Sequence, residues 1–73
     1  MRKIKKSISK MSNDMLFLAR ELQINLWGIK MKRYESATSV FEVFRISREI
    51  RKVERIIYAM NKELKRRGIF KAF

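Results

Sequence analysis

Residues 46–64 read Ile46-Ser-Arg-Glu-Ile-Arg-Lys-Val-Glu-Arg-Ile-Ile-Tyr-Ala-Met-Asn-Lys-Glu-Leu64. Within them Ile46, Ile50, Val53, Ile57, Met60 and Leu64 step by four and three in strict order. A strand, with its two-residue period, cannot produce that spacing, whereas a helix gathers these positions into a seam for another helix. Ser39, with Glu42 three residues on, reads as a capping box at the start of this helix, with Ser36 or Thr38 as alternative caps. Gly68 stands where a left-handed residue closes a helix, and Ile69 is placed to touch Leu64 as in a Schellman motif. The expected helix therefore covers 39–67.

Toward the N-terminus, Ser12 is a good N-cap, and Asp14 falls in the first turn, where a negative charge suits the helix dipole. Met15, Leu18, Leu22, Leu26 and Ile29 recur at helical spacing and form the expected apolar face of a first helix over 12–33. Gly28 weakens its second half, and the alternation from Ile24 to Met31 carries some strand character. Residues 34–38 remain as a connection, 1–11 as a basic N-terminal tail and 68–73 as a C-terminal tail. The expected fold is all-α: an antiparallel two-helix hairpin with a long second helix and basic terminal extensions. The 73 residues hold no proline, two glycines and no repeat, so a single domain is expected.

Composition narrows the function. Nineteen Lys and Arg stand against seven Asp and Glu, a formal charge of +12. Such a charge repels itself in a compact monomer and is neutralised on a phosphate backbone. A chain this short also buries a small fraction of its surface alone, so a partner is expected. With no Cys and no His, disulfides, thiolate nucleophiles, imidazole bases and the usual zinc ligands are excluded. The acids are scattered and mostly flanked by Lys or Arg, offering no paired carboxylates, and no Gly-rich phosphate loop is present. No enzymatic activity, cofactor or small-molecule substrate is expected. The longest apolar run, Met15 to Ala19, is far short of the ~20 residues that span a bilayer, so no membrane partner is expected either.

The basic residues concentrate in two places. Arg2, Lys3, Lys5, Lys6 and Lys10, with Ser7 and Ser9 and no acid before Asp14, have the composition of a nucleic-acid-binding tail, of an ordinary solvated end or of an organellar presequence, and the nucleic-acid-binding tail is the favoured reading. At ~100° per residue, Arg48, Arg51, Lys52, Arg55, Lys62 and Arg66 share the side of the second helix opposite the isoleucine seam. Every amphipathic helix has a solvated polar face. Here, however, Glu49, Glu54 and Glu63 lie on the flanks, and Phe41 and Phe44 project toward the basic side, a mixture suited to phosphate contact with base or sugar packing. The expected RNA-binding residues are Arg2, Lys3, Lys5, Lys6, Arg48, Arg51, Lys52, Arg55, Lys62 and Arg66. Phe17 and Trp27 are expected to close the core. Phe70 and Phe73, beyond the helix stop, are read as a tail that anchors on a partner or remains free.

Two stretches carry a family resemblance. Leu18-Ala-Arg-Glu-Leu-Gln-Ile-Asn-Leu26 resembles the first-helix run of the ribosomal large-subunit protein twenty-nine family: leucines, Arg-Glu, then an aromatic or aliphatic residue before Asn-Leu. Ile46-Ser-Arg-Glu-Ile-Arg-Lys-Val53 is similar to its second-helix pattern, matching at Ile46, Arg48, Glu49, Ile50, Lys52 and Val53. Ser47, Arg51 and Phe44 depart from it, and the stretch between the two matches is about two residues longer. About half the chain is covered. The resemblance implies a short two-helix hairpin that is a structural constituent of the large ribosomal subunit. It would lie on ribosomal RNA near the peptide exit tunnel, beside a neighbouring ribosomal protein, with Arg48 and Lys52 touching RNA. The implied location is the ribosome, in the cytoplasm or in an organelle such as the mitochondrion. The principal rival is a small dimeric DNA-binding transcriptional regulator of the ribbon-helix-helix kind, or a nucleoid protein, with Lys3 to Lys10 as the ribbon. A hairpin that dimerises into a four-helix bundle and binds another protein is a third reading.

Overall fold

The computed structural model describes the backbone of residues 2–70 and the side chains of residues 6–70. Three helices follow one another, α1 (Arg2–Lys10), α2 (Asn13–Ser36) and α3 (Val40–Arg66). α2 and α3 form the antiparallel hairpin: Arg20 meets Asn61 near one end, and Trp27 meets Glu54 and Lys30 meets Glu49 toward the other. The extents of 42 × 26 × 15 Å are those of a slab one helix layer thick, so every helix keeps an outer face.

The helix ends form as local chemistry dictates. The Ser12 hydroxyl accepts from the Met15 N–H at 3.3 Å and the Ser39 hydroxyl from the Glu42 N–H at 3.0 Å, each satisfying an orphan donor. Gly68 adopts φ +74°; its N–H reaches the Lys65 carbonyl and the Ile69 N–H the Leu64 carbonyl, both at 3.0 Å, completing the Schellman closure. The second helix thus lies close to its expected bounds. The first runs three residues further, to Ser36, and residues 37–39 connect the two. The alternating stretch from Ile24 to Met31 is helix throughout.

The seam of α3 is buried as its spacing requires, at Ile46, Ile50, Val53, Met60 and Leu64. The face of α2 that meets it is not the one expected. Met15, Leu18, Leu22, Leu26 and Ile29 are all exposed. Leu16 and Arg20 are buried in their place, Trp27 and Lys30 are half-buried, and each of these but Leu16 has a polar partner on α3. α2 carries two usable stripes, and α3 takes the mixed one because Asn61, Glu54 and Glu49 can pair with the polar ends of Arg20, Trp27 and Lys30.

The expected N-terminal tail is instead a helix. Ile8, 3% exposed, inserts between Leu16, Met60 and Leu64, with Met11 beside it. Nine residues are too few to hold a helix alone, so this burial is what makes α1 worth forming. Phe70 is likewise not a free anchor. It packs on the same cluster with Ile69 and lies 5.8 Å from the Arg20 guanidinium, which sits 5.6 Å from Phe17, while Lys65 Nζ approaches the Phe70 ring at 5.0 Å. The buried Arg20 cation is thereby covered by two aromatic faces. Phe17 packs on this core as expected. Phe73 lies outside the described residues.

Candidate nucleic-acid interface

The basic stripe of α3 lies on the surface turned away from α2. Arg48, Arg51, Lys52, Arg55, Lys62 and Arg66 are all exposed. What separates this surface from an ordinary solvated face is where the acids of α3 go. Glu49 Oε2 is 3.3 Å from Lys30 Nζ, and Glu54 Oε2 accepts from Trp27 Nε1 at 3.3 Å. Both carboxylates are thus engaged along the hairpin seam. From Arg48 to Lys62 the outer stripe is left with one sign of charge, and field lines from neighbouring cations add rather than cancel; at its end Glu63 pairs with Arg66.

Three aromatic rings border it. Phe41 is 87% exposed, Phe44 66% and Tyr58 70%. The two phenylalanines occupy the first turns of α3, on the same side as Arg48 and Arg55 by helical projection. Phe41 and Phe44, one turn apart, lie side by side as one exposed apolar patch beside the cations.

At the far end the stripe meets α1. Lys6, Ile8 and Ser9 from α1 and Ala59, Lys62, Glu63 and Arg66 from α3 line an open groove of about 460 Å³. Lys6, remote in sequence from Lys62 and Arg66, is therefore their neighbour around the groove. Arg66 is the least available of the three, because its guanidinium grips Glu63 in two bonds of 2.9 and 2.6 Å. Arg2, Lys3 and Lys5 belong to α1 by their backbone, and their side chains lie outside the described residues.

Arg67, absent from the expected set, holds this end together. It donates to Glu63 Oε2 at 2.8 Å, to Asn13 Oδ1 at 2.9 Å, and to the Ile8 and Ser9 carbonyls at 3.4 and 3.3 Å. One side chain so joins all three helices and meets the negative end of the α1 dipole. In sequence it is one more cation in Lys65-Arg-Arg67, and only the packing of α1 distinguishes it. Hydrogen bonds from Arg66 and Arg67 hold the Glu63 carboxyl down to about 2, and the same contact raises Arg66 above its ordinary value. A carboxyl depressed on folding contributes stability that is complete above about 4.5 and is lost as pH falls toward 2. The difference in melting temperature between the native chain and Glu63→Gln should therefore shrink as pH is lowered from 4.5 to 2 in thermal melts followed by circular dichroism. A constant difference would mean that the charge of Glu63 contributes no stability.

Among the described residues no helix is long and apolar enough to cross a membrane, and none of the groups of acids could hold a metal ion. The segment that would form the ribbon of a ribbon-helix-helix dimer is helical, since α1 covers residues 2–10. No family model, no curated protein and no solved structure matches the chain.

Proposed function

We propose that this protein binds structured RNA through the outer face of α3 and the α1–α3 groove, as a non-enzymatic component of a ribonucleoprotein. The particular setting, on the reading of the two resembling stretches, is the large ribosomal subunit near the peptide exit tunnel, next to another ribosomal protein. The observation that carries the RNA reading is the single-sign stripe Arg48, Arg51, Lys52, Arg55 and Lys62 bordered by exposed Phe41 and Phe44. Cations position the hairpin on phosphates and contribute salt-dependent affinity, while the rings stack on unpaired bases. RNA is favoured over duplex DNA because the exposed Phe41 and Phe44 rings suit stacking on unpaired bases, which RNA loops offer and a continuous duplex does not.

The test is density-gradient sedimentation of the tagged chain from a cell extract at low and raised salt, with and without ribonuclease. Co-migration with large subunits that persists at moderate salt and collapses on ribonuclease treatment is expected. Recovery at the top of the gradient in untreated extract would overturn the ribosomal setting. Failure of the purified chain to bind hairpin RNA even at low salt would overturn the RNA reading itself.

A further inference from the structure

The most conspicuous feature that RNA binding leaves unused is the outer stripe of α2. Met15, Leu18, Leu22, Leu26 and Ile29 are 56, 54, 60, 38 and 58% exposed. They run in one line for about 21 Å along the helix, and nothing in a slab 15 Å thick folds over them. We infer that this stripe pairs with the same stripe of a second copy, antiparallel, about a two-fold axis at Leu22.

Two independent features single out a second copy as the occupant. The first is spacing. From Met15 to Ile29 the steps are three, four, four and three, which read the same in both directions from Leu22. An isologous interface needs this self-complementarity: Met15 of one chain falls opposite Ile29 of the other, Leu18 opposite Leu26, and Leu22 opposite itself. The second is charge. Arg20 and Lys30 are turned to α3, where they meet Asn61 and Glu49, which leaves Asp14 and Glu21 in the N-terminal half of α2 and Lys32 and Arg33, with Glu35, in the C-terminal half. Asp14 and Lys32 are eighteen residues apart, five whole turns, so they project from the same flank of the stripe. Asp14 precedes Leu22 by eight residues and Lys32 follows it by ten, so across the two-fold they lie within about 3 Å of each other along the helix axis. An antiparallel pair thus joins opposite charges at both ends, while a parallel pair would set like against like. Pairing through α2 leaves the basic face of α3 on the outside of the dimer, so the inference does not depend on RNA binding.

The absence of cysteine makes the register directly testable on the purified, nucleic-acid-free chain in raised salt. A dimer at tens of micromolar is expected by sedimentation equilibrium. Leu22→Cys should cross-link to itself on mild oxidation. Met15→Cys should not, because its copies lie about 21 Å apart and a disulfide spans at most ~7 Å between Cα atoms, yet Met15→Cys mixed with Ile29→Cys should. Leu22→Lys sets two like charges on the axis and should raise the dimer dissociation constant by more than about a hundredfold, with helicity retained because the position is exposed in the hairpin. Asp14→Lys and Lys32→Asp should each weaken the dimer and together restore it. A monomer at ~100 μM, self-cross-linking of Met15→Cys, or a Leu22→Lys variant as dimeric as the native chain would each overturn the inference.

Discussion

Replacing Arg48, Lys52 and Arg55 together by glutamate should abolish RNA binding and leave the helical content unchanged. Each replacement reverses one charge on a face that holds no acid, so the stripe that attracts phosphate becomes one that repels it. If each residue meets one phosphate, the slope of log affinity against log salt falls by about 2 to 3, and affinity at 0.15 M salt falls on the order of a thousandfold. The fold is spared because the three side chains are exposed and, among the described residues, no ion pair joins them to α2 or α1. Glutamate is also as good a helix former as the residues it replaces. Filter binding or fluorescence anisotropy on a hairpin RNA at several salt concentrations, beside far-UV circular dichroism, separates the two effects. Phe41→Ala provides the complementary measurement. It should weaken binding by about 1 to 3 kcal/mol if the ring stacks on a base, with the salt slope unaltered, since no charge is removed. Unchanged affinity in the triple variant would place the RNA contact on another surface.

Truncating Leu64 to alanine should have the largest effect on stability. The side chain is 0% exposed and lies where α1, α2 and α3 converge, against Ile8, Leu16 and Met60. Its removal leaves a cavity that three rigid helices cannot close without losing the contact that holds α1. The expected cost is about 3 kcal/mol. A domain of this length has roughly 4 to 11 kcal/mol in total, so the melting temperature should drop by about 15 °C. The Schellman closure itself should survive, because Leu64 takes part in it through its backbone carbonyl. Phe41→Ala, which removes a larger ring from an exposed position, should change stability by less than about 0.5 kcal/mol. Equal effects from the two would mean that the core is elsewhere.

The sequence by itself determined the elements whose causes are local or one-sided. The seam of α3 is legible because Lys and Arg dominate its opposite face, so only one continuous apolar stripe exists to bury. Ser12, Ser39 and Gly68 are legible because a cap is satisfied within four residues of itself. The basic surface is legible from the same projection that places the seam. The face of α2 was not legible, because that helix offers a purely apolar stripe and a mixed one. The choice between them rests on partners that α3 supplies from more than twenty residues away, at Glu54 and Asn61. The purely apolar stripe that propensity would bury is left outside, where a second chain can reach it. α1 is legible as a charge cluster and not as a helix, since its nine residues gain their stability from Ile8 entering a core built by α2 and α3. Arg67 reads in sequence as one basic residue among neighbours of the same kind. Only tertiary structure, by bringing the end of α1 within reach of its guanidinium, makes it the residue that ties three helices together.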